Sequence, residues 1–225
     1  MSKYGQIGRG VGLCFWTFVL LCLVTLSSLQ TAQAQSASHF ASVKLPRGIE
    51  LQIPRGWWLL GADLNRAIQT SGEAALDLSG IGLPEGAETN LISANSMPRS
   101  TYATVRVDST IPPSVSPSQV ASSTAADVRE LQTEMRHMLE KLLPLQGSQL
   151  IEFVGTRIEK VSGHPAIVLE YRRTGPKGSV FVQSNQIFTP SQEIRIILSY
   201  RESELGLWKP VLGKIRKSIV IRRWP

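Results

Sequence analysis

Between Leu150 and Tyr200 the chain runs through four apolar-rich segments, 150–161, 166–173, 179–188 and 193–200, with very little between them. The first connection is Ser162-Gly163-His164-Pro165 and the second is Gly175-Pro176-Lys177-Gly178, residue types that reverse a chain within a few positions. Connections this short cannot carry a parallel crossover, so successive strands must pair as antiparallel hairpins. Any fold for this sequence has to be built around that meander.

The flanking segments say what it packs against. From Val43 the pattern is strand-like, and Ile49, Leu51 and Ile53 alternate with Glu50 and Gln52 between two copies of Pro-Arg-Gly, at 46–48 and 54–56. Proline fixes φ and lacks a donor, while glycine accepts positive φ, so both copies read as turns. Leu91–Asn95 and Tyr102–Asp108 add two strands, and the prolines within 111–117 make an irregular linker. Three helices are predicted. Asp63 opens the first, with Leu64, Ala67, Ile68, Ala75 and Leu78 on one face and Gly80 and Gly82 ending it. Ser116, Pro117 and Gln119 form a capping box for a second helix over Pro117 to Leu143, whose apolar face is Val128, Leu131, Met135, Met138 and Leu142 and which stops at Pro144 and Gly147. The third spans Leu205 to Lys217 with Leu205, Trp208, Leu212 and Ile215 inward, and Ser218 to Ile221 adds a short strand. This order predicts an α+β fold in which helices cover an antiparallel sheet, an α/β/α-type sandwich.

The first 34 residues read as an address. Lys3 and Arg9 precede an apolar run over Val11 to Leu26, and Ala32-Gln33-Ala34 offers small residues at both positions a signal peptidase inspects. The run is shorter than the roughly 18 to 20 residues of a membrane anchor. The sequence therefore divides into a cleaved signal peptide (1–34), a flexible segment (35–42) and one α+β domain (43–225), exported to the periplasm or beyond and meeting the membrane only through its leader. Cys14 and Cys22 both lie in the leader, so the processed chain has no disulfide, thiolate metal site or cysteine nucleophile. Loss of Lys3 and Arg9 lowers the net charge from +7 to +5, with cations scattered until the tail (Lys209, Lys214, Arg216, Lys217, Arg222, Arg223). Nucleic acid is not an expected partner, whereas an envelope protein or an acidic envelope component is.

No catalytic string stands out. His39, His137 and His164 are isolated, with no His-Glu-x-x-His or Gly-x-Ser-x-Gly. A hydrolase reading would need a site gathered from dispersed residues such as Ser184, His164 and Asp108. Met135 and Met138 have thioethers that suit copper, but methionine at this spacing is core packing, and neither a metal nor a cofactor is expected. The stretch Leu78 to Glu88 is glycine-rich yet lacks the lysine of a phosphate cradle, so it reads as a surface loop. The candidate binding residues are Arg55, Trp57 and Trp58: alternation sends one tryptophan to the core and the other outward, where Arg55 beside it makes a cation–aromatic patch. The Leu59-Leu60 pair favours Trp57 as the inward one, together with Leu59.

The entry strand ending Ile53-Pro54-Arg55-Gly56-Trp57, the hairpin at Gly163-His164-Pro165, the strand over Ile194 to Tyr200 and the helix carrying Trp208-Lys209-Pro210-Val211-Leu212 before Lys217-Ser218-Ile219 together resemble PsbP-like domains. That is the fold of an extrinsic photosystem subunit and of many small exported bacterial proteins. The resemblance covers much of the chain after the leader and implies a docking or assembly-support domain rather than an enzyme. The long second helix and the glycine-rich loop exceed the minimal pattern, and no functional residue carries over.

Overall fold

Ten strands and three helices fill the residues that the computed structural model describes, 40–60 and 89–223. The leader, the segment up to His39, the helix expected after Asp63 and the glycine-rich stretch Leu78 to Glu88 lie outside them. The strands are β1 (Phe40–Lys44), β2 (Ile49–Pro54), β3 (Trp58–Leu60), β4 (Thr89–Asn95), β5 (Ala103–Thr110), β6 (Leu150–Val161), β7 (His164–Gly175), β8 (Gly178–Phe188), β9 (Glu193–Arg201) and β10 (Val220–Ile221); the helices are α1 (Pro117–Ala121), α2 (Ala125–Leu145) and α3 (Leu205–Lys217).

The expected meander is present as β6 to β9, antiparallel throughout. It forms most of a seven-stranded sheet ordered β3-β4-β5-β9-β8-β7-β6, and β1, β2 and β10 make a separate three-stranded sheet. The first hairpin is tighter than its sequence suggested: Val161 already faces His164, and the loop is only Ser162 (φ 51°) and Gly163 (φ 82°). Positive φ at both central residues gives the twist that matches a hairpin. His164 and Pro165 belong to β7. The first strand begins at Phe40, ahead of Val43.

Alternation along the strands divides the large sheet into two faces. One carries the buried Val105, Val107, Ile194, Ile196 and Leu198, and α3 touches both β9 and β2. Trp208, Leu212 and Ile215 are the buried face of that helix, whereas Leu205 is 44% exposed, contrary to its expected inward position. The opposite face receives α1 on β7 and α2 on β6. There Leu139, Leu143 and Leu169 form a cluster with Met135, Leu150, Phe153 and Tyr171 against it. Helices thus lie on both faces of an antiparallel sheet, the predicted architecture.

Three expectations for the long second helix are corrected. The chain from Pro117 to Leu143 is two helices, because Thr124 starts a second capping box: its side chain accepts from the Asp127 N–H and Asp127 returns the bond to the Thr124 N–H. Ser122 and Ser123 bridge the break. The inward stripe of α2 also drifts by one position, leaving Met138 39% exposed while Leu139 and Leu143 are buried. Pro144 lies within the last turn of α2 rather than beyond it.

The two Pro-Arg-Gly copies are not equivalent. The first is a single 3-10 turn with Arg47 at φ 63° and Gly48 at φ 75°. A Cβ on Gly48 would stand 2.7 Å from the Arg222 carbonyl oxygen, so close backbone approach demands glycine there. The second is a turn closed by the Trp57 N–H on the Pro54 carbonyl at 3.0 Å. Gly56 has open space around it and does not use positive φ.

Candidate functional site

The turn at Pro54-Arg55-Gly56 delivers two tryptophans into opposite environments. Trp57 is 8% exposed and meets Trp208 edge to face, ring centroids 5.6 Å apart. Trp208 is itself fixed by its indole N–H, which donates to Glu204 at 2.9 Å. This pair locks the β2–β3 turn onto α3, an aromatic arrangement that adds to simple burial. Trp58 opens β3 opposite Asn95 and is 45% exposed.

The cation over Trp58 is not the one expected. Arg99, in the connection after β4, places its guanidinium 4.6 Å from the Trp58 ring centroid, while Arg55 is exposed on the neighbouring turn. Arg99 follows Asn95, the strand partner of Trp58, by four residues, a proximity that only the β3–β4 pairing creates. Leu59 and Met97 are exposed on the same edge, so Leu59 does not accompany Trp57 inward. The result is an apolar and aromatic edge flanked by two arginines, at the end of the large sheet where β3 has one neighbour among the described strands.

A second concave feature lies between α3 and strands β7 to β9. It is a cleft of about 380 Å³ with Phe181, Leu198 and Tyr200 on the sheet side and Leu205, Lys209 and Leu212 on the helix side. Its charged walls are mutually paired. Arg157 sits 3.0 Å from Glu170, Arg172 holds Glu202 and Glu152, and Arg216 donates to Asn185 at 2.9 Å and contacts Glu159. Burial pushes the Glu170 carboxyl up, but hydrogen bonds from Arg157 and Gln183 and the charges of Arg157 and Lys209 outweigh it and hold the group below its ordinary range.

The dispersed trio Ser184, His164 and Asp108 is not brought together. Ser184 pairs across from Leu169, five residues along β7 from His164, about 17 Å at strand rise. The Asp108 carboxylate is buried and accepts from Asn90 at 2.8 Å and Arg106 at 2.9 Å, with Arg195 at 3.4 Å. It is a structural acid within two arginines rather than an orienter of histidine. Of the two methionines, Met135 is half-buried and Met138 faces solvent. Among the described residues no three His, Cys, Asp or Glu side chains converge on one point.

The described residues thus form a sheet sandwiched by helices, with an exposed tryptophan edge and a small amphipathic cleft. No protein-family model and no curated protein sequence matches the chain. Among solved structures, cyanobacterial PsbP (CyanoP) from Synechocystis is similar at a TM-score of 0.50 and 14% identity, over 82% of this chain and 94% of that one. The chain has a PsbP-like fold. Weaker likenesses are to LpqN of Mycobacterium tuberculosis (TM-score 0.45, 11% identity, 84% of this chain and 95% of that one) and PA94 of Pseudomonas aeruginosa (TM-score 0.37, 15% identity, 83% and 100%).

Proposed function

We propose that this protein is an exported, non-catalytic binding or assembly-support module of the bacterial envelope, and that it docks on a protein partner through Trp58. The observation that carries the reading is the 45% exposure of Trp58 under the Arg99 guanidinium, with Leu59 and Met97 beside it. A large amphipathic ring held rigid by a cation, with few rotamers to lose, is the residue type that anchors interfaces. Arg55 on the adjoining turn supplies a further donor at the rim. The leader of residues 1–34 supports export, and the PsbP-like fold supports a docking role. No helix among the described residues is long and apolar enough to cross a membrane.

The test compares single variants for folding and for capture. Trp57→Ala empties the contact with Trp208 and should cost about 3 to 5 kcal/mol of stability. Trp58→Ala should leave the melting temperature within the range of an ordinary surface change, about 0.5 kcal/mol, yet abolish retention of the protein that wild type captures from the envelope fraction. Arg55→Ala should weaken that retention without abolishing it. Equal capture by wild type and a folded Trp58→Ala variant sinks the reading.

A further inference from the structure

The cleft beneath α3 has a chemistry of its own, on a different surface from the Trp58 edge. Its floor is aromatic: the Phe181 and Tyr200 rings lie 5.3 Å apart at 38°. Leu198, Leu205 and Leu212 complete an apolar interior. At about 380 Å³ it falls at the small end of ligand sites, large enough for a single-ring or short-chain molecule.

Two polar groups at this cleft stand out from the paired walls. Tyr200 is 5% exposed, yet its hydroxyl makes no hydrogen bond among the described residues and is not sealed from solvent. A residue this enclosed ordinarily satisfies its hydroxyl, so the group is left to meet something that enters the cleft. Lys209, on the facing helix, forms no ion pair among the described residues. Glu170 lies within electrostatic reach of both Tyr200 and Lys209. Burial, with Glu202 and Glu170 adding to it against Arg172, pushes the Tyr200 hydroxyl up, so it stays a neutral donor.

The polarity of the missing partner follows. Among the described residues every carboxylate around the cleft is matched by an arginine, so a cationic guest would find no uncommitted anion there. What remains is one ammonium and one O–H donor over an aromatic and aliphatic floor. We propose that this cleft binds a small organic acid, its carboxylate held by Lys209 and the Tyr200 hydroxyl and its ring or short chain lying between Phe181, Leu198 and Leu212.

The probe is 4-phenylbutyrate, titrated into the isotope-labelled full chain and followed by amide chemical shifts, with the neutral 4-phenylbutyramide as control. Saturable shifts at β8, β9 and residues 205–213 are expected, with the amide binding at least about tenfold more weakly because it forfeits a charge-assisted bond. Lys209→Ala should weaken the acid about tenfold and the amide little, with Lys209→Arg restoring part of the difference. Tyr200→Phe should weaken the acid several-fold with an unchanged melting temperature, since the lost hydroxyl has no hydrogen-bond partner among the described residues. Leu205→Trp, at a position already 44% exposed, should block both probes by filling the mouth. Equal affinity for acid and amide, or shifts that map away from the cleft, overturns the proposal. So does the absence of saturable shifts with either probe. None of these results depends on capture through Trp58.

Discussion

Gly48 and Gly56 show how far identical residues can differ in role. Each follows a Pro-Arg pair, but only Gly48 sits at positive φ with a backbone oxygen 2.7 Å from where a Cβ would be. Alanine at Gly48 meets both a conformational penalty of about 1 to 2 kcal/mol and a clash with the Arg222 carbonyl, whose own residue donates its N–H back to the Gly48 carbonyl at 2.9 Å. Alanine at Gly56 meets open space and an unstrained backbone, and restricts the unfolded chain. Gly48→Ala should therefore lower the urea midpoint clearly, whereas Gly56→Ala leaves it unchanged or slightly raised. Equal effects would show that the tandem copies are structurally alike after all. Sequence reading could identify both as turns, because proline and glycine act locally. It could not tell them apart, because the deciding neighbour, Arg222, is distant in sequence and arrives only through the pairing of β10 with β2. The Trp58 patch has the same history: the outward tryptophan was legible from alternation, but its cation, Arg99, depends on the β3–β4 register.

At the scale of elements, what was legible depended on how local the signal is. The hairpins of the meander and α3 fall close to their predicted bounds, since turn residues and an amphipathic stripe are written in adjacent positions. The break between α1 and α2 was equally local, in Thr124 and Asp127, but a continuous apolar pattern across it masked a second start signal. The drift of the inward stripe was not local at all. The face of a helix about six turns long is set by the surface it lands on, here Leu169 and its neighbours on β7. This register is testable. Leu139→Ala should cost about 2 to 5 kcal/mol as a buried leucine, while Met138→Ala, one residue away, should cost well under 1 kcal/mol. A reversal of that order in denaturant unfolding would mean that α2 sits rotated by about 100° from the orientation described.

The whole molecule carries its ionisable groups in a way that fixes a pH window. Glu170 and Glu202 are both pushed up by burial, but their partners outweigh it: Arg157 and Gln183 for Glu170, Ser179 and Arg172 for Glu202, so both carboxyls lie below the ordinary glutamate value of 4.5. A carboxyl depressed in the folded state binds its proton more readily when unfolded. Its contribution is therefore present above 4.5 and is lost as pH falls through the folded value. Tyr171 and Tyr200 are displaced upward, chiefly by burial, from the ordinary 10.0. For these groups the neutral form is favoured by the fold, so their contribution is complete below 10.0 and disappears as pH rises through the folded value. Unfolding free energy should accordingly be nearly flat between about pH 5 and 9, with separate acid and alkaline limbs. The limbs belong to different places: Glu170 ties β7 to β6 through Arg157 beside the cleft, and Tyr171 faces the α2 cluster. Glu170→Gln should flatten part of the acid limb and, because the Glu170 charge helps to raise Tyr200, move the Tyr200 part of the alkaline limb to slightly lower pH, whereas Tyr171→Phe should flatten the alkaline limb and leave the acid one alone. Urea midpoints measured across the range decide it. An acid limb in Glu170→Gln that superimposes on wild type would move the acid sensitivity away from the cleft wall, to Glu202 and the exposed carboxylates.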